Sequence, residues 1–425
     1  MDDFLRKEPK MSEIVIKKSP PLCGNIICSG SKNAALPIRA ATILTKGKNI
    51  IQNVPRLTDT ENMLEILTAL GGICNINVNT VEVDFTDCRE YSASYELMST
   101  FRGSFFLAAP ILSRMGRARI SMPGGCPIGN RPIDLHLKGF SAMGADIRHG
   151  HGYVDLSCPR LKGAKIYLDF PSVGATENLL MAAVLAKGDT VIENAAAEPE
   201  ITDLANFLIK QGAKIHGAGS GTIKISGVES LVPVTYSIIS DRIEAGTFMS
   251  AFAITGGRGR IDNVNPIHLK PVTAKLTEMG ADIDVHRSYI NIDASKSLSS
   301  ANIKTLPFPG FPTDMQAQFS ALLCETKGSG IIVETVFENR FLHIGELNRM
   351  GANIRIDGRS TFIEGERHLS GAKVSAMDLR GGASLVLAGL CADGETRIDG
   401  ANHIRRGYEN LCGKLRSIGA NIFLE

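Results

Sequence analysis

The chain is 425 residues long, 44% hydrophobic and 21% charged, and its 46 Lys and Arg against 44 Asp and Glu leave a net charge of +2. These are the values of an ordinary globular protein, and the even charge excludes the large basic face that nucleic-acid binding needs. No stretch reaches the length of a membrane span, and the charged opening MDDFLRKEPK lacks the apolar region of a signal peptide, so a cytoplasmic protein is expected.

Residues 1–11 read as a leader or disordered segment, followed by strand signals at EIVIKKS and GNIICSG and an alanine-rich helix from Lys32. Farther on, six helices end in one tag: LGGI at Leu70, MGADI at Met143, QGAKI at Gln211, MGADI at Met279, MGANI at Met350 and IGANI at Ile418. Their glycines, Gly71, Gly144, Gly212, Gly280, Gly351 and Gly419, lie 68 to 73 residues apart, so one unit of about seventy residues recurs six times. Each tag glycine is expected to end its helix in a left-handed cap.

The unit is clearest from Ser172. SVGATENLLMAAVLAKG is apolar on nearly every side and reads as a buried helix; DTVIENA is a β-branched strand; EITDLANFLIKQGAKI is an amphipathic helix with Ile201, Leu204 and Leu208 on one face. Further strand signals, GTIKISG and PVTYSII, precede the next buried helix near Arg242. The sixth unit stops short at Glu425, and the N-terminal strands are expected to complete it.

Six units exceed what one core holds, since cores stop growing beyond roughly 250 to 300 residues. Three units per domain is the symmetric split: residues 33–239 in one domain, 12–32 with 240–425 in the other. The chain then crosses twice, near Ser29–Lys32 and Ser240–Arg242, and a ligand cleft is expected between the domains.

Nine scattered cysteines suggest reduced thiols, and no pair has metal-ligand spacing. Cys126 stands apart, in the glycine-rich loop SMPGGCPIGNRPIDLH, where nearby Arg131 would favour a thiolate; a reactive thiol and an incidental turn cysteine both fit that composition. CSGSKNAALP is not a P-loop, because Asn33 stands where Ser or Thr should follow the lysine. Lys32 at a helix start still makes an anion site, with N-capping by Ser29 or Ser31 as the plainer alternative. Other buried helices open on Arg102, on Ser172, Val173 and Gly174, on Asp314 and on Arg380.

GSKNAALP, PGGCPIGNRPIDLH, SVGAT, NAAAEPEITD, FPTDMQAQ, ETVFENRF, DLRGGASLVLAG and HIRRGYE, from about Ser12 to the C-terminus, together closely resemble the UDP-N-acetylglucosamine 1-carboxyvinyltransferase family of enolpyruvyl transferases. The resemblance implies two inverse α/β barrel domains of three repeats, moving between open and closed states with the Cys126 loop as lid. It implies transfer of enolpyruvyl from phosphoenolpyruvate to the 3′-hydroxyl of UDP-N-acetylglucosamine with release of phosphate, opening peptidoglycan synthesis, with no metal or organic cofactor. It places Cys126 as the acid toward C3 of phosphoenolpyruvate and the thiol alkylated by fosfomycin, and Asp314 as base or orienting group. Lys32, Arg131 and Arg406 would bind phosphate, and Arg380 and Arg406 the carboxylate. Arg131, Pro132, Ile133, Asp134 and Leu135 would lie along uridine, Ser172, Val173 and Gly174 near the diphosphate, and Asn33, Arg102, Asp314 and Val336 around the sugar.

Three departures stand out. Arg405 replaces a usual acid and is expected to point outward, Phe170 replaces a basic nucleotide contact, and Gly381 and Gly382 replace residues with side chains. A related enzyme acting on shikimate 3-phosphate and a non-catalytic nucleotide-sugar sensor are the competing readings. The PGGC loop argues against the first, and the joint presence of Lys32, Cys126, Asp314 and Arg406 against the second.

Overall fold

The computed structural model describes residues 13–99, 101–122 and 132–425. The expected leader and the Cys126 loop with Arg131 lie outside these residues. No described helix is long and apolar enough to cross a membrane.

All six tag glycines take positive φ, from 92° at Gly144 to 107° at Gly212. After each, an N–H returns to a carbonyl of the helix's last turn, as Ala281 N to Leu276 O at 3.0 Å and Ala420 N to Leu415 O at 3.1 Å. This is the Schellman arrangement, in which the left-handed residue lets the chain satisfy the orphan carbonyls and reverse into a strand.

The alanine-rich helices form the inside of each domain. Every residue from Ile243 to Ile254 of the Arg242–Ile254 helix is buried, and this helix packs with Gln316–Cys324 and Leu379–Cys391 in a three-helix centre. Small alanines allow the close approach, while Phe248, Phe252 and Phe319 fill the remaining space and each stabilises by about 1.5–3 kcal/mol through burial. Sheets lie outside, with one face wet, as the alternating burial of Asp189–Glu193 shows. Helices inside and sheets outside invert the usual α/β barrel. One core runs from Ala34 to Ile238; the second joins Ile14–Cys28 to Ile243–Ile422.

Among the described residues five sheets have four strands and one has three. In the fifth unit, Ser329–Val333 pairs antiparallel with Ser360–Glu364 and parallel with Ile303–Lys304 from the preceding unit. The buried helix between the two parallel strands makes a βαβ crossover. The second and fifth units likewise pass a strand on, Lys165–Tyr167 to Asp189–Glu193 and Lys373–Ser375 to Glu395–Asp399.

That handover corrects the expectation for the N-terminal strands. Ile14–Lys17 does complete the sixth unit, between Glu395–Asp399 and Ile422–Leu424. Cys23–Ile27 instead pairs parallel with Arg258–Asp262 of the fourth unit, while Thr235–Ser237 of the third returns to Lys48–Gln52 of the first. At the domain crossing two βαβ units have exchanged partners, which closes both rings. The crossing strands meet at an antiparallel bridge between Gly30 and Ser240. A Cβ on Gly30 would fall 1.7 Å from the Asn53 carbonyl, so only glycine fits.

Candidate active site

The double crossing brings two helix starts together. Ser31 caps the Lys32–Ala41 helix by accepting from Ala34 N. Asp241 caps the Arg242–Ile254 helix, its Oδ1 accepting from Ile243 N at 2.8 Å and Glu244 N at 3.0 Å, while its Oδ2 accepts from Lys32 N at 3.2 Å. One carboxylate therefore fixes both starts.

Two further carboxylates organise the cations. Asp59, in the first turn of Thr58–Ala69, lies 2.7 Å from Lys32 Nζ and 2.8 Å from Arg406 Nε, which reaches it from the other domain. Asp314 takes Arg340 Nη2 at 2.6 Å on Oδ1 and Arg380 Nη2 at 3.0 Å on Oδ2. Burial would raise the Asp314 carboxyl, but Arg340 and Arg380 hold it well below the usual range. Lys32 is lowered by burial, opposed by Asp59 and reinforced by the charges of Arg380 and Arg406. Four cations, Lys32, Arg340, Arg380 and Arg406, thus share the two carboxylates.

Arg380 is 3% exposed and lies against Tyr408, its Cζ 5.3 Å from the ring centroid. Fully buried Glu334 supports the other side: it accepts from Thr305 Oγ1 at 2.9 Å, Thr313 Oγ1 at 2.8 Å and Val336 N at 2.8 Å, and Arg340 Nη1 reaches Thr313 Oγ1 at 3.1 Å. Asp314 and Val336 are thus joined through one buried carboxylate.

A second group gathers in one corner of the first domain, around His136. Its Nδ1 lies 3.0 Å from Asn178 Nδ2, and its Cε1 would meet a Cβ on Gly174 at 3.3 Å. Burial, with the charge of Arg102 adding, pushes the imidazole down to about 3, so it stays neutral. Around it lie half-buried Arg102, the Asp134–Ala142 helix start with exposed Pro132 and Asp134, buried Ile133 and half-buried Leu135, and Ser172, which accepts from Ala175 N ahead of Val173. Asn33 follows Lys32, half-buried. Cys126 and Arg131 are outside the described residues.

Asp59, Arg340, Glu334 and His136 were not singled out from sequence. Arg340 and Glu334 lie within the quoted ETVFENRF segment, so a signal existed; Asp59 in LTDTEN reads as an ordinary acidic helix start. Among the departures, Arg405 is half-buried rather than fully in solvent, and Phe170 is 44% exposed. Gly381 and Gly382 have a packing reason: added Cβ atoms would meet Asp378 Oδ2 at 2.7 Å and Ile404 at 2.6 Å.

Helix starts of two inverse barrels converging on paired cations and carboxylates make this a two-domain inverse-barrel protein with its charged groups gathered at the domain junction. Residues 16–415 match the EPSP synthase (3-phosphoshikimate 1-carboxyvinyltransferase) family. The chain is 53% identical over 97% of its length, and 99% of the relative's, to UDP-N-acetylglucosamine 1-carboxyvinyltransferase 1 of Caldanaerobacter subterraneus subsp. tengcongensis. It is 54% identical, with the same coverage, to UDP-N-acetylglucosamine 1-carboxyvinyltransferase 2 of Carboxydothermus hydrogenoformans. The solved enolpyruvyl transferase NikO from Streptomyces tendae superimposes with a TM-score of 0.89 at 27% identity, covering 98% of this chain and 99% of that one. EPSP synthase from Acinetobacter baumannii, at 17% identity and a TM-score of 0.75 over 98% of this chain and 100% of that one, shares the fold. The chain belongs to the EPSP synthase family of enolpyruvyl transferases, and within it to the UDP-N-acetylglucosamine 1-carboxyvinyltransferases.

Proposed function

We propose that the protein transfers the enolpyruvyl group of phosphoenolpyruvate to the 3′-hydroxyl of UDP-N-acetylglucosamine, releasing phosphate, as the committed step of peptidoglycan precursor synthesis in the cytoplasm. The observation that carries the reading is the convergence of Lys32, Arg380 and Arg406 with Asp314 at the domain junction, in a chain about half identical to enzymes of that name.

The hydroxyl oxygen bonds to C2 while C3 takes a proton, giving a tetrahedral adduct; loss of a C3 proton and of phosphate restores the double bond. Cys126 delivers the first proton, because a thiol ionises near neutral pH. Lys32, Arg131 and Arg406 hold the phosphate, and Arg380, with Arg406, the carboxylate, using the guanidinium's planar fork. Asp314, held ionised by its two arginines, accepts a hydrogen bond from the 3′-hydroxyl and orients it. As Arg380 turns to the substrate carboxylate, Asp314 loses part of that counter-charge and becomes a better base. Asn33, Arg102 and Val336 face the sugar, Ser172–Gly174 the diphosphate, and Arg131–Leu135 the uridine. Closure of the two domains around these groups excludes water from the adduct.

The deciding experiment is phosphate release from phosphoenolpyruvate with UDP-N-acetylglucosamine or shikimate 3-phosphate as acceptor. Release with the nucleotide sugar alone is expected, and release only with shikimate 3-phosphate overturns the reading. Cys126→Ala is expected to lower turnover about 10²–10⁴-fold, the usual worth of a positioned acid. Cys126→Asp retains activity but escapes inactivation by fosfomycin; full Cys126→Ala turnover defeats the acid assignment.

A further inference from the structure

Asp59 holds Arg406 of the second domain and Lys32, which opens the Lys32–Ala41 helix packed in the first core and so belongs with the first domain rather than with residues 12–31; the reaction as assigned does not use Asp59. Its side chain is 3% exposed and is anchored in the first turn of a helix, where the free backbone donors favour its charge. Burial would raise its carboxyl, but Lys32 and Arg406 hold it below the ordinary carboxylate range. It takes Lys32 on Oδ2 and the Nε edge of Arg406 on Oδ1. Without a negative charge between them, Lys32 and Arg406 would repel across the cleft.

A neighbouring tie holds the same two segments through other groups. Glu409 accepts from Arg56 N at 2.8 Å on Oε1 and from Ser29 Oγ at 2.6 Å on Oε2. It joins the segment after Arg406 to the segment before Asp59 and so reports on domain docking alone.

We propose that Asp59 is the positioning residue of the phosphate site, drawing Arg406 of one domain against Lys32 of the other so that both cations face one phosphoryl group. This rests on the assignment of Lys32 and Arg406 to phosphate in the proposed function. Asp59 itself need not touch substrate.

The test is steady-state phosphate release by the full-length protein, with each substrate varied in turn. Asp59→Asn keeps the shape and removes the charge; it is expected to raise KM for phosphoenolpyruvate about tenfold or more, as loss of a charge-assisted bond does. KM for UDP-N-acetylglucosamine should stay within about twofold. Asp59→Glu, which keeps the charge, should restore most of the loss; it replaces Asp59→Asn if that variant does not fold, with a rise of about threefold expected for phosphoenolpyruvate alone. Glu409→Gln should leave KM for phosphoenolpyruvate within about twofold. An unchanged or lowered KM for phosphoenolpyruvate, an equal rise for both substrates, or the same phenotype in Glu409→Gln overturns the inference. A wild type that transfers nothing from phosphoenolpyruvate instead defeats the functional reading beneath it.

Discussion

Among the described residues two ion pairs cross between the domains with the same polarity, and they differ in exposure. In one, Glu200 of the first domain takes Arg242 of the second, at 3.0 Å to Nε, with side chains 3% and 11% exposed. In the other, Asp59 of the first domain takes Arg406 of the second, with side chains 3% and 36% exposed. Counted back from their tag glycines Gly212 and Gly71, Glu200 and Asp59 occupy equivalent places in the third and first units, so one repeat position supplies both acids. Glu198, beside the first pair, also accepts from Phe308 N across the domains at 3.3 Å. The first pair is enclosed by both domains and behaves as core; the second is half in water and can exchange a protein partner for a substrate.

The comparison is broken hardest at the enclosed pair. Glu200→Ala leaves the Arg242 guanidinium buried without its partner, and urea unfolding should show a loss of about 3–5 kcal/mol, with turnover per folded molecule changed less. If that loss is below about 1 kcal/mol, the pair is not core-like.

At the exposed pair the pattern should reverse. Arg406→Lys keeps the charge but loses the planar fork, so KM for phosphoenolpyruvate should rise about tenfold while stability moves by no more than about 1 kcal/mol. A large drop in stability with substrate affinity intact would erase the distinction.

The smallest effect is in pH dependence. Burial raises the Glu198 carboxyl above its ordinary value. The native state then keeps a proton that the unfolded chain has released, so stability falls as pH rises from the unfolded value of about 4.3 through the folded one. Glu198→Gln should flatten that fall, by at most about 1.4 kcal/mol per pH unit, in urea midpoints taken from pH 4.5 upward. Asp59 has the opposite sign, since its lowered carboxyl contributes above the unfolded value of about 3.9 and loses that contribution as pH falls through the folded one.

What was legible divides along the same line. The tag glycines were readable because a left-handed cap demands a particular residue, and Lys32, Asp314 and Arg380 because a polar group at the head of an apolar helix stands out. Asp59 was not, since its partner Arg406 is 347 residues away and an acid in a helix's first turn needs no special explanation. Glu334 was hidden for a related reason: its role lies in the hydroxyls and N–H groups it accepts from, and no spacing reveals those.

Local chemistry alone determined the six-fold unit, the helix ends and the residue types able to hold a small trianion, because caps and periodicity act over a turn or two of chain. The tertiary structure decided which strand closes which sheet, as the exchange of Cys23–Ile27 and Thr235–Ser237 shows. It also decided which cation shares which carboxylate. Both depend on packing two rings about one crossing, where distance in space no longer follows distance along the chain.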